Sequence, residues 1–120
     1  MKSKGRVYIA GPMTGLKYLN FPAFDEAALR FRKAGYDAVN PAELDRVRGI
    51  HEYTDLGKQT NCGYRIAMKV DLTAICECDA IALLPGWETS RGTAVELALA
   101  RLLKLKVLDA RTMKPIKEVL

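Results

Sequence analysis

Glu96 closes the run Ser90-Arg91-Gly92-Thr93-Ala94-Val95-Glu96, which follows a short apolar segment, Asp79 to Leu84, ended by Pro85-Gly86. A bounded apolar run of this kind reads as a strand buried on both faces. Val95, Leu99 and Leu102 then recur at helical spacing, which predicts a helix from Thr93 onward. The turn between carries Trp87, Glu88, Thr89, Ser90, Arg91 and Gly92, and in a parallel sheet such a turn lies where ligands bind. Glu96 shares a helical stripe with Gly92, Thr93, Ala100 and Leu103, so its carboxylate leaves the first turn on a small, apolar face. Thr93-x-x-Glu96 fits a capping box, and the same carboxylate fits a nucleophile. Under both readings the helix dipole and nearby N–H groups favour its ionised form.

Asp71 is the second acid of interest. It falls beside the apolar face Ala67, Val70, Ala74 and Ile75 of a helix expected over Tyr64 to Glu77. There it either pairs with Arg65 or Lys69, or is desolvated and holds a proton as a general acid does. If Asp71 reaches the pocket of Glu96, one carboxylate stays ionised while the other carries a proton. That arrangement breaks a glycosidic bond through an oxocarbenium-like transition state.

These side chains need a scaffold, and the rest of the chain supplies one. Gly5 to Ala10 reads as a first strand and opens into the glycine-flanked loop Gly11-Pro12-Met13-Thr14-Gly15, which brings backbone N–H groups towards a phosphate or sugar. The loop is neither a GxGxxG fingerprint nor a P-loop. Asn20 is placed to cap a helix with the apolar face Phe24, Ala27, Ala28 and Phe31, stopped by Gly35. Tyr36 to Val39 is a second strand, and Asn40 to Glu43 a turn. Leu44 to Asn61 is charged and reads as a lid with some short helix, or as a surface insertion. Leu105 to Leu108 gives a fourth strand, and Ala110 to Leu120 a short helix or tail. The expected fold class is α/β, a small parallel sheet of four or five strands with helices on both faces, flavodoxin-like or Rossmann-like.

The 120 residues suit one domain, and 49% hydrophobic residues give it an ordinary core. A net charge of +5, from 19 Lys and Arg against 14 Asp and Glu, suits phosphorylated small molecules. The basic residues are scattered and have no interleaved stacking aromatics, which argues against nucleic acid. With no apolar run of about 18 residues and no signal segment, the expectation is a cytoplasmic protein with no membrane partner. Cys62, Cys76 and Cys78 are expected as free thiols, and with the lone His51 their spacing fits no common metal site.

Taken together, VYIAGPMTG, Asp71 followed by CDAIALLPGW, and Ser90-x-Gly-Thr-x-x-Glu96 resemble the nucleoside 2-deoxyribosyltransferase-like proteins, notably their small phage and prophage members. The resemblance covers residues 1–120 as one domain, apart from the lid and the extreme C-terminus. It implies that Glu96 is the nucleophile at C1′ of a 2-deoxyribosyl group and that Asp71 assists proton transfer with the departing base. Tyr8 then hydrogen-bonds the nucleophile, or else is a core tyrosine of its strand. Ser90 matches the serine of hydrolases acting on 2′-deoxynucleoside 5′-monophosphates, and Arg91 beside it adds attraction for phosphate. Pro12 and Thr14 stand where those hydrolases have serine and arginine. The first loop, Ser90 to Thr93, Phe21 and Trp87 are the expected surroundings of the substrate, the two aromatics being base walls or packing residues. The implied activity is cleavage or transfer at the N-glycosidic bond of a 2′-deoxynucleotide or nucleoside, with no cofactor, in a homo-oligomer. The alternative is a nucleotide-binding protein without turnover.

Overall fold

The computed structural model describes residues 3–55 and 61–117. Its elements run β1 (Arg6–Ala10), α1 (Phe21–Lys33), β2 (Asp37–Val39), α2 (Pro41–Val47), α3 (Asn61–Cys76), β3 (Ala80–Leu83), α4 (Arg91–Leu102) and β4 (Lys106–Asp109). The strands form one four-stranded sheet in the order β2-β1-β3-β4, with every pairing parallel. This is an α/β fold of the flavodoxin or Rossmann type, with four strands where the sequence allowed four or five.

Alternation along each strand divides the core in two. Val7 and Ile9 of β1 and Ala80 and Ala82 of β3 pack with Phe24, Ala27, Ala28 and Phe31 of α1. Tyr8 and Ala10, with Ile81 and Leu83, face the other way and pack with Ile75 of α3 and with Leu97 and Ala100 of α4. Pairing of Tyr8 with Ile81 holds this register across the two central strands. The chain leaves β1 towards β2 on one side and β3 towards β4 on the other. Their C-terminal ends therefore flank the crevice at which open parallel sheets bind ligands.

Several expectations need correction. Asn40 to Glu43 is the start of α2 rather than a turn: Pro41 occupies the first helical position and Asn40 Oδ1 accepts from the Ala42 N–H at 2.9 Å. The short helix expected within the lid therefore lies at its start, while residues 56–60 lie outside the described ones. Asn20 does not cap α1 through its side chain; its amide instead donates to the Pro12 carbonyl at 3.0 Å and ties the first loop down. Tyr18, Leu19 and Asn20 have φ of 56°, 54° and 59°, a left-handed turn that costs L-residues roughly 1–2 kcal/mol each. At the other end, Asp109 N–H donates to Lys114 O and Ile116 N–H to Val107 O, and Pro115 bridges antiparallel to Leu108. Residues 110–117 thus fold back along β4 rather than forming a helix.

The crossing of the first loop over β3 is tight. A Cβ at Gly11 would lie 2.7 Å from the Leu84 Cβ, and the Leu84 N–H bonded to Ala10 O at 2.8 Å keeps the two backbones from separating. We expect Gly11→Ala to destabilise the fold by about 2 kcal/mol, read as a lower urea midpoint. An unchanged midpoint would mean that the loop is not held against β3.

Candidate active site

A cleft of about 1020 Å³ opens at the C-terminal ends of β1 and β3. Gly11 to Thr14 line it from the first loop, Asp45 and Arg48 from the α2 region, Asp71 from α3, and Ser90 to Thr93 and Glu96 from α4. The sequence-predicted acids, the expected tyrosine and most of the expected loop residues therefore converge. Gly15, Phe21 and Trp87 are not among the lining residues. Phe21 is fully buried in the α1 core with the Arg46 guanidinium 4.9 Å from its ring centroid, and Trp87 packs against the core beneath α4. Both are packing residues.

The capping-box reading of Glu96 fails on geometry. Helix α4 begins at Arg91, and Ser90 is its cap, with Oγ accepting from the Thr93 N–H at 3.2 Å. That puts Glu96 in the second turn, beyond the free N–H groups of the helix start. Its stripe was read correctly in part: Thr93, Glu96 and Ala100 are buried, while Gly92 and Leu103 are exposed. Val95 and Leu102, whose spacing predicts this helix, lie on its outward side.

Tyr8 reaches from β1 into this stripe, and its Oη donates to Glu96 Oε2 at 2.5 Å. Buried among apolar neighbours, the Glu96 carboxyl is pushed up to about 8, against a lowering by the Tyr8 hydrogen bond and with a further push from Asp71 and Asp45. Desolvation is the largest influence on Glu96, which reverses the expectation of a carboxylate held ionised by its helix. Asp71 is pushed up to about 7, first by burial and then by Asp45, with Arg48 opposing. The cation acting on Asp71 is therefore Arg48 from across the cleft, while Arg65 and Lys69 are exposed on α3. Tyr8 is raised well above its ordinary value by burial and the neighbouring acids, so it stays a hydrogen-bond donor.

Asp45 and Arg48 were missed in the sequence because their segment was read as turn and lid. Asn40 as cap and Pro41 at the first helical position would have revealed α2, and i,i+3 and i,i+4 spacing then groups Asp45 with buried Pro41 and Ala42. Asp45 is raised by burial and lowered by Arg48.

At the α4 terminus, Ser90 to Thr93 turn the helix start towards the cleft, a setting that favours an anion. The Thr93 hydroxyl is buried and has no hydrogen-bond partner among the described residues. Among those residues no three His, Cys, Asp or Glu side chains are grouped to hold a metal ion. Cys76 and Cys78 are free, burial pushing the Cys78 thiol up to about 12, and Cys62 lies outside the described side chains. No helix among the described residues is long and apolar enough to cross a membrane.

The raised acids make stability fall with pH. Unfolded, Glu96 loses its proton near 4.5; folded, it keeps the proton to about 8, so between these values the native state binds more protons and stability declines as pH rises. We expect Glu96→Gln to flatten this slope and to be more stable than wild type by about 2 kcal/mol at pH 8.5, with little difference at pH 4. Urea unfolding at the two pH values checks it, and equal differences at both would refute the buried-acid account.

No curated protein matches this sequence. The chain belongs to the family described as a domain of unknown function, DUF4406, which matches over residues 5–109 and so takes in Tyr8, Asp45, Asp71 and Glu96.

Proposed function

We propose that the cleft cleaves the N-glycosidic bond of a 2′-deoxynucleoside or its 5′-monophosphate, passing the sugar to water or to another base. The observation that carries this reading is the buried Glu96 carboxyl, hydrogen-bonded by Tyr8 and sharing its cleft with a second raised acid, Asp71. Ionised Glu96 attacks C1′ as the C1′–N bond breaks, and its electrons leave with the base, which takes the proton of Asp71. The Asp71 carboxylate then receives a proton from water as the water oxygen attacks C1′ and frees Glu96. Tyr8 steadies the ionised nucleophile, while the α4 terminus with Ser90 and Arg91 suits a 5′-phosphate.

One observation favours a second reading, a nucleotide binder without turnover: burial pushes Glu96 up to about 8, which leaves it mostly neutral at pH 7. Incubation with 2′-deoxynucleosides and their 5′-monophosphates, with free base read by chromatography, separates the two. Release from monophosphates alone supports a nucleotide hydrolase, and exchange between nucleosides a transferase. No release, with a nucleotide still raising the melting temperature, would replace the enzyme with the binder. The reading includes a cytoplasmic homo-oligomer, for which the outward Val95 and Leu102 of α4, 49% and 77% exposed, offer an apolar face.

A further inference from the structure

The α2 side of the cleft carries a charge pair that the proposed chemistry does not use. Asp45 and Arg48 both line the cavity, with Arg48 Nη1 3.4 Å from Asp45 Oδ1 and side chains only 12% and 21% exposed. Among the described residues, this long contact is the one side-chain hydrogen bond that either group makes. A guanidinium has five N–H donors and a carboxylate about four acceptor sites, so most of their capacity is unspent. These spare donors and acceptors are not sealed away, since the buried side-chain atom without a partner among the described residues is Thr93 Oγ1, and in the cavity that both residues line they are open to a ligand with matching polar atoms. Asp71 senses both members, Asp45 raising it and Arg48 lowering it, so the pair flanks the acid that the proposed reaction uses at the base.

We infer that Asp45 and Arg48 read the base edge, and that they select a 2-amino-6-oxopurine. An ionised carboxylate accepts only, and the adjacent N1–H and N2–H donors of that base meet its two oxygens. Arg48 beside it donates to the O6 carbonyl. Adenine and cytosine bring one amine beside a bare ring nitrogen, which repels the second oxygen, and the lone N–H of thymine is flanked by two carbonyls. Hypoxanthine keeps O6 and N1–H but loses the second donor. Burial disfavours the ionised Asp45, and two N–H groups on its oxygens offset that cost.

This inference rests on the N-glycosidic reading for the placing of the base, but its test does not require turnover. Calorimetry on Glu96→Gln, with the 2′-deoxynucleoside 5′-monophosphates of guanine, hypoxanthine, adenine and thymine, reads the preference directly. We expect guanine to bind roughly 10- to 100-fold tighter than hypoxanthine, and adenine and thymine to bind more weakly than either. Asp45→Asn should bring the guanine-to-hypoxanthine ratio close to one. Arg48→Met should instead reduce, without abolishing, the preference for guanine over 2-aminopurine, which lacks the 6-oxo group and with it the N1–H that meets Asp45. Arg48→Lys keeps the charge without the fork and guards against a folding defect, with circular dichroism run on all variants. Equal affinity for the four nucleotides, no measurable binding, or a preference unchanged in Asp45→Asn overturns the assignment. Guanine-selective binding by a wild type that releases no base would sustain it while removing the catalytic reading. Release of every base at one rate would do the reverse.

Discussion

Glu96→Gln should lower base release by on the order of 10⁴-fold or more, the scale seen when a nucleophile is removed from a group that acts as a unit. The substitution is nearly isosteric, and the amide oxygen can still accept the Tyr8 hydrogen bond, so the cleft keeps its shape. What disappears is the electron pair that holds C1′ between the two half-reactions. The same variant should be the more stable protein at alkaline pH, because it no longer carries an acid that burial has raised to about 8. Loss of activity joined to a gain in stability is a combination that misfolding cannot produce. Mass spectrometry of denaturant-quenched wild type should find a deoxyribosyl adduct on the peptide containing Glu96. A Glu96→Gln protein within tenfold of wild type would remove Glu96 from the chemistry.

Asp71→Asn should cost about 10²- to 10⁴-fold in kcat/KM, the range of a general acid, and should change the shape of the pH profile. In wild type the low-pH limb reflects Glu96 neutralised and the high-pH limb Asp71 without a proton to give. With the acids raised to about 8 and about 7, they titrate as a pair and the profile should be a narrow bell between these values. The order of the two values leaves the reactive form, Glu96 ionised and Asp71 protonated, as a minority species, which limits the rate. Without Asp71, Glu96 titrates alone, so the acid limb should follow the Glu96 value, eased down from about 8 by loss of the Asp71 push, and the alkaline limb should vanish. Substrates whose leaving group departs without a proton should lose much less. A variant profile that keeps both limbs in place would exclude Asp71 as the acid.

The sheet was legible because its first three strands are short runs stopped by Gly11, Asn40 and Pro85, and such runs have few other uses in an α/β chain. Tyr8 to Ala10 and Ala80 to Leu83 are wholly buried, so their composition speaks plainly. Helix α2 was not legible as an element because its outward residues are charged and its start, Asn40-Pro41, is also a turn signal. With it went Asp45 and Arg48, and so one wall of the cleft. On α4 the larger aliphatics Val95 and Leu102 mark the helix but lie outward, and the buried stripe of Thr93, Glu96, Leu97 and Ala100 shares only Thr93, Glu96 and Ala100 with the one that spacing predicts. Small side chains fit where two helices press a sheet, and they are quiet on a hydropathy scale. The protonation of Glu96 was misjudged for a related reason: its cap was placed at Thr93 instead of Ser90, which credited it with a dipole that it is one turn too far along to use.

The alternation of β1 sends Val7 and Ile9 to one core and Tyr8 to the other, where it meets Glu96. A codon gained or lost within this strand would exchange the two sets, setting the phenol among the phenylalanines of α1 and an aliphatic side chain against the acid. Folding and chemistry would fail in the same event. The return over residues 110–117 carries none of the cleft's side chains, so a slip there would disturb the packing beside β4 and leave the phenol on its acid.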